Sequence, residues 1–498
     1  MSSPRRVVYI IIDGMNRDAL EQVVASGRAP ALAFLKENSV YVRDSVAVFP
    51  TITPAATASL VTGETPAQHG IPGMCWYDRD AQRFVNYGQS PRAAVIEGVS
   101  QIVDDFLVNL NSHHLSPNVS TIHESLHKLG FTTASINFMV FRGPYRHELE
   151  PNLLERALLF KRTHRRTIRG PREHYFADVV TGPSEACSGL LKARGVEKRI
   201  KATDGWAACV VRELLERRAA DMILFYLHEN DHASHRGGPS AQVDSLADAD
   251  RHIANVLDSF DSWEEALDDV GFVVTADHSQ SPVSSSKDHI VDFDEVLEEF
   301  RVVPRKRGKE RFGHNDIAWA GNGRAVFFYL NPTRDGELRG KVIETLLATD
   351  GVDQVLCRVT GGYAVRGREG TLRFHPASGD EGVVDERGHR WRYSGDLRVI
   401  DGVVEQGEIV TPEYPLAMWR IKEALDCERT GDVVATMKLT YEATDIAGGD
   451  HRGGGDHASL HAQDSIVPFM STLGDPPAHP STIDVCPHIV GHFEKLSS

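Results

Sequence analysis

VVYIIIDG (Val7–Gly14) is an unbroken apolar run that ends abruptly in an acid and a glycine. A run that is apolar at successive positions reads as a strand buried on both faces of a parallel sheet. The same ending recurs twice: MILFYL (Met222–Leu227) runs into HENDHASH, and GFVVT (Gly271–Thr275) runs into Ala-Asp-His. In an open α/β sheet, ligands and catalytic groups collect at the carboxyl ends of the strands. This reading brings Asp13, Asp231, His235, Asp277 and His278 to one sheet edge. With Thr53 and His457, the set offers carboxylates, imidazoles and a hydroxyl, the donors of a two-metal site with a nucleophile, and so implies a metal-assisted hydrolase.

Outward from these strands, apolar runs alternate with helical patterns over the first ~300 residues, the signature of βαβ units. The pattern predicts helices at Arg17–Val24, Ala31–Glu37, Val119–Lys128, Trp206–Arg218 and Ser240–Asp258, and a further strand at Phe131–Phe138. From Phe300 to Thr411 the texture changes to short β-like pieces separated by Gly, Asp and Pro. The expected architecture is an α/β core with a mainly parallel sheet flanked by helices. Residues 1–299 form its first part, 300–411 a smaller β-rich inserted subdomain, and 412–498 the closing part.

Composition narrows the function classes. Of 498 residues, 41% are hydrophobic and 25% charged, ordinary for a soluble globular chain. No apolar run approaches the ~20 residues that span a bilayer. The net charge of −16 argues against a general nucleic-acid binder. Two basic segments stand out, Lys161–Arg172 and Pro304–Arg311, read as solvated faces or as a lining that attracts an anionic substrate. The six cysteines (75, 187, 209, 357, 427, 486) include no CxxC pair, which favours free thiols and a cytoplasmic setting.

Thr53 precedes Pro54 and an Ala-rich helical stretch. Thr-Pro is a common helix cap. A helix start also presents free N–H groups and a positive dipole end, which suit a phosphate. A Thr hydroxyl there becomes a nucleophile once its pKa is lowered. Thr51 competes for the role on spacing alone.

These segments together resemble the alkaline phosphatase superfamily, in its type I phosphodiesterase/nucleotide pyrophosphatase branch. IIIDGM opens the pattern, and Thr53 with LVTG (Leu60–Gly63), HGI (His69–Ile71), Tyr77-Asp78, DHASHRGGP (Asp231–Pro239), TADH (Thr275–His278) and GDHASLHAQDSIVPF (Gly455–Phe469) follow in order. The resemblance implies two metal sites, one held by Asp13, Thr53, Asp277 and His278 and the other by Asp231, His235 and His457, with His451 and His461 as rivals of His457. It implies cleavage of a phosphodiester or pyrophosphate through a phosphothreonine on Thr53, acting on a small anionic phosphate ester, with no nucleic-acid polymer and no membrane as partner. The mixed Asp/His set fits zinc better than magnesium, with manganese as the alternative. One departure is Met74, which stands where the branch places an Asn that binds a phosphoryl oxygen; a thioether donates no hydrogen bond.

Two rivals remain open. A phosphomonoesterase or phosphonate hydrolase of the same superfamily needs a further cation, for which Arg142, Arg146 and the 161–172 segment are candidates. HESLH (His123–His127) matches the zincin signature of a metalloprotease, but Thr121-x-x-Glu124 also reads as a capping box that would tie Glu124 to a helix start.

Overall fold

The computed structural model describes residues 4–89, 93–149, 167–176, 180, 187, 189–190, 203–306, 308, 310–379, 381–444 and 450–498. Among them the strand Arg6–Ile12 lies mid-sheet, paired in parallel with Val270–Thr275 on one side and Met222–Leu227 on the other. The sheet continues in parallel through Thr133–Ile136 to Glu173–Tyr175. At the opposite edge Ile466–Ser471 runs antiparallel to its neighbours Val270–Thr275 and Val40–Val46.

The unbroken apolar character of Val7–Ile12 has a simple cause. Val8, Ile10 and Ile12 pack beneath helices Arg17–Ala25, Pro30–Glu37, Asp204–Glu216 and Gln242–Leu257. Val7, Tyr9 and Ile11 face the opposite layer, which includes Ala55, Ala58, Leu60 and Val61 of helix Thr53–Thr62. Each fully buried Val or Ile contributes roughly 1.5–3 kcal/mol. The predicted helices are found with boundaries shifted by a few residues, and the predicted strand at 131–138 shortens to Thr133–Ile136.

A second sheet is ten-stranded and almost wholly antiparallel. It spans Ile317 to Val410 and recruits Val433–Met437, from beyond the expected boundary at Thr411, between Ala325–Leu330 and Val352–Val359. The end of its strand Ile317–Asn322 reaches the first sheet's ligand-bearing edge. Asn322 Oδ1 accepts from the backbone N–H groups of Met74 at 2.8 Å and Cys75 at 2.9 Å. Arg324 forms a fully buried ion pair with Asp464 (3.1 Å) and donates to the carbonyl of Asp456. Removing one partner of such a pair costs about 3–5 kcal/mol.

No helix among the described residues is long and apolar enough to cross a membrane. The expectation of free thiols throughout is corrected at one pair: Cys187 and Cys209 form a disulfide, while Cys75, Cys357, Cys427 and Cys486 are buried and outside any disulfide. The two are 22 residues apart in sequence, and their pairing follows from tertiary placement against helix Asp204–Glu216, which no short motif announces.

His461 joins the second sheet to the loop that follows His457. Its Nδ1 lies 2.6 Å from Glu413 and its Nε2 3.2 Å from Asp353 of the strand Val352–Val359. Burial opposes its charge, and the two carboxylates overcome that and hold the imidazole up to about 9. A pKa raised on folding stabilises fully below the unfolded value and is lost as pH rises through the folded one. Wild-type stability therefore falls by on the order of 2 kcal/mol between pH 6.5 and about 9, and His461→Gln flattens that segment of a urea-midpoint profile. An unchanged slope in the variant refutes the assignment.

Candidate active site

Three neighbouring strands deliver the acids. Asp13 ends Arg6–Ile12, Asp277 follows Val270–Thr275, and Asp231 lies in the first turn of helix Glu229–Gly237, just past Met222–Leu227. Gly14 has φ 65°, and a Cβ there would meet Asp231 Oδ1 at 3.1 Å, so the turn needs glycine both for its conformation and for room. Asp231 and His235 share one face of their helix at i,i+4 spacing, with Nε2 to Oδ2 3.4 Å. A Cβ on Gly454 would stand 1.9 Å from the His235 carbonyl oxygen, so the loop carrying His457 approaches that helix backbone to backbone.

The imidazoles share one arrangement. His235 Nδ1 donates to the Gly455 carbonyl (2.8 Å), His457 Nδ1 to that of Thr51 (2.7 Å), and His278 Nδ1 to that of Ser279 (3.2 Å). Each backbone bond fixes a tautomer that leaves Nε2 with a free lone pair, as in metal-ligating histidines. Those Nε2 atoms face carboxylates: His278 is 3.6 Å from both Asp13 and Asp277, and His457 is 3.9 Å from Asp231. The His278 and His457 rings stack at 3.8 Å.

Electrostatics give the same picture. Burial first, then Asp277 and Asp231, push the Asp13 carboxyl well up; burial raises Asp277 to about 7. Burial opposes ionisation of Asp231 too, but His235, His457 and His278 hold it down to about 2. Burial keeps His278 and His457 neutral, the latter at about 3. Asp13 Oδ1 and Asp277 Oδ2 are buried without a hydrogen-bond partner. Orphaned carboxylate oxygens facing neutral Nε2 atoms fit divalent cations, and two groups of converging donors occur here, Asp13/Asp277/His278 and Asp231/His278/His457. Supporting bonds hold the acids in place: Tyr226 donates to Asp13, and Gln280 Nε2 to Asp231.

Thr53 Oγ1 lies 3.2 Å from His278 Nε2. Ile52, not Thr53, occupies the cap position of helix Thr53–Thr62, and it makes no side-chain cap bond, so the Thr53 hydroxyl is not spent on capping. Thr51 is turned away, its hydroxyl donating to the Ser459 carbonyl. Of the rivals of His457, His461 lies away from the cavity between Glu413 and Asp353, whereas His451 stays on the cavity wall, paired with Glu442 at 2.6 Å. A cavity of about 530 Å³ opens above these groups, lined by Thr53, Met74, Gln89, Asp231, His235 and His457 among others.

Sequence reading missed a second tier. His451, Asp456 and His235 bring donor atoms together on the same cavity. Among the described residues the lining arginines are Arg236 and Arg452, whereas the described residues of the 304–311 segment do not line the cavity and Arg305 is buried, stacked over Phe84 and Trp319. Residues 161–166 of the other basic segment lie outside the described residues. Arg142 is committed to Glu124 and to the carbonyls of Leu115, Ser116 and Val119, and Arg146 does not line the cavity.

HESLH has no metal geometry. Glu124 closes the capping box with Thr121 and pairs with Arg142, and the buried His123 meets Thr133 Oγ1 at 3.1 Å. Neither His123 nor His127 joins a metal-competent group among the described residues. The exposed His127 tests this cleanly: His127→Ala leaves metal content and turnover unchanged by elemental analysis and assay, and loss of metal would restore the protease reading.

Comparison with known proteins supplies a family and a fold. A family model described as type I phosphodiesterase/nucleotide pyrophosphatase matches residues 7–460. Among solved structures, murine ectonucleotide pyrophosphatase/phosphodiesterase 5 is 13% identical with a TM-score of 0.55, covering 98% of this chain and 95% of that one. Phosphonoacetate hydrolase from Sinorhizobium meliloti 1021, in complex with phosphonoformate, is 17% identical with a TM-score of 0.58, covering 98% and 96%. At these identities the likeness shows the shared alkaline-phosphatase-like fold.

Proposed function

The chain belongs to the type I phosphodiesterase/nucleotide pyrophosphatase family, and we propose that it hydrolyses a phosphodiester or pyrophosphate bond by double displacement at Thr53. The observation that carries this reading is the set of three imidazoles, each fixed at Nδ1 by a backbone carbonyl and turned by Nε2 toward the carboxylates of Asp13, Asp277 or Asp231. Asp13, Thr53, Asp277 and His278 would hold one divalent cation, and Asp231, His235 and His457 the other. Zinc suits these mixed donors better than manganese. When bound, such ions supply a lowered hydroxyl pKa and neutralisation of developing charge.

The chain's own residues do the rest. Helix Thr53–Thr62 directs its first-turn N–H groups and positive end at the phosphoryl oxygens. Thr53 Oγ1 attacks phosphorus, the ester or anhydride oxygen departs on the opposite side, and a phosphothreonine forms; water then attacks the same phosphorus and regenerates Thr53. Met74 offers no side-chain donor, and its backbone N–H is already bound to Asn322. Small anionic ligands occupy structures of the same fold: AMP in the murine protein, phosphonoacetate in the bacterial one. A monoesterase would need another cation at the phosphoryl group; Arg142 is spent on Glu124, and the cavity's own arginines, Arg236 and Arg452, follow the outer histidines rather than Thr53.

The test is a steady-state comparison of bis-p-nitrophenyl phosphate, p-nitrophenyl phosphate and thymidine 5′-monophosphate p-nitrophenyl ester on zinc-loaded protein. We expect the diesters to be preferred by at least about tenfold in kcat/KM, a difference of about 1.4 kcal/mol in transition-state binding. Preference for the monoester contradicts the reading.

A further inference from the structure

The cavity has a direction, set by a row of imidazoles. His278 touches Thr53, His457 stacks on His278 at 3.8 Å, His235 lies 5.2 Å from His457, and His451 stacks on His235 at 4.1 Å. At the end remote from Thr53, each of the two segments that carry the outer histidines places an arginine on the cavity wall. Arg236 follows His235 on its helix, and Arg452 follows His451 on the loop. Arg236 is exposed, and its guanidinium makes no hydrogen bond or ion pair among the described residues. Arg452 meets Asp450 at 2.9 Å through Nε. An exposed pair of that kind is weak, and a guanidinium carries five donors, so most of its N–H groups stay available.

Apart from the histidines, His232 among them, the other titratable groups lining the cavity are acidic. Asp231, Asp450, Asp456 and Glu442 line the same space, and the chain as a whole carries a charge of −16. Two arginines drawn to such a wall give it affinity for an anion that the acids alone would repel.

An in-line attack by Thr53 sends the departing oxygen away from Thr53, toward this end. We infer that Arg236 and Arg452 form a subsite for a departing group that carries its own negative charge. The preferred substrates are then phosphoryl compounds with a second anionic centre beyond the scissile bond, such as phosphoric anhydrides, rather than diesters with neutral tails. The inference rests on Thr53 being the nucleophile.

The experiment compares wild type, Arg236→Gln, Arg452→Gln and Arg236→Lys on two substrates. ADP has an anionic leaving group, and thymidine 5′-monophosphate p-nitrophenyl ester an uncharged tail. The expected result is a rise in KM for ADP of about tenfold per Gln variant, the loss of one charge-assisted hydrogen bond. The p-nitrophenyl ester changes by less than about twofold, and Arg236→Lys recovers part of the ADP affinity because it keeps the charge. By calorimetry, α,β-methylene ADP weakens in parallel with the KM for ADP. Equal losses on both substrates, or no loss on either, overturn the subsite. A wild-type enzyme that cleaves neither substrate overturns the phosphohydrolase reading itself, a separate failure.

Discussion

Thr53→Ala lowers phosphodiester turnover by roughly 10⁴-fold or more, the scale seen when a covalent nucleophile is removed. The loss falls on kcat with little change in KM, because the missing oxygen bonds to phosphorus only as the reaction proceeds. Metal content at the Asp231/His235/His457 set stays intact, since none of those donors depends on Thr53 for orientation: their supports are Gly455, the Thr51 carbonyl and Gln280. Thr51→Ala is the control. Its hydroxyl is bound to the Ser459 carbonyl, so the substitution costs stability but not more than a few-fold in turnover. Substantial activity in Thr53→Ala, or a comparable collapse in Thr51→Ala, would move the nucleophile elsewhere.

The second large effect concerns Asp277, and its sign depends on metal. In the loaded enzyme, Asp277→Asn removes a ligand, so bound metal drops by about one ion per chain and turnover falls at least about 10³-fold. In metal-free protein the same substitution stabilises the fold. Asp277 is fully buried, and its carboxyl is raised to about 7. An acid whose pKa rises on folding loses stability as pH climbs from its unfolded value to its folded one, here from 3.8 to about 7. Asp277 therefore weakens apo wild type by on the order of 3 kcal/mol across that window, and Asp277→Asn removes that share of the decline, leaving the part that Asp13 contributes. Chemical denaturation with and without chelator, across that range, reads both effects. Greater stability of the loaded variant than of the loaded wild type would sink the ligand assignment.

Much of this geometry was legible in the sequence. Val7–Ile12, Met222–Leu227 and Val270–Thr275 announce a parallel sheet because both faces are covered, and the residue after such a strand must emerge at the sheet's carboxyl edge. Asp13 and Asp277 could be placed by that argument alone. The Asp231/His235 pair needed only helical spacing. His457 could not be separated from His451 and His461 by pattern, because all three lie in one loop region rich in Gly and acids. What distinguishes them is which carboxylate each meets: Asp231 and Asp353 come from distant parts of the chain, while Glu442 lies nine residues before His451. The Cys187–Cys209 bond escaped for the same reason. The strand Val433–Met437 was also missed as part of the second sheet, since its membership is decided by its neighbours Phe328 and Cys357 rather than by its own composition. Arginines were sought in the dense basic runs, whereas those on the cavity are single residues beside histidines. Proximity to a site belongs to the fold, and charge density along the chain does not report it.

The measurement that bears most directly on the mechanism is the stereochemical course at phosphorus, followed for a chiral phosphorothioate diester hydrolysed in ¹⁸O-labelled water. Each in-line displacement inverts the phosphorus centre. Attack by Thr53 followed by attack of water predicts net retention. Net inversion would mean that water displaces the leaving group directly, and would contradict the phosphothreonine on which the account depends.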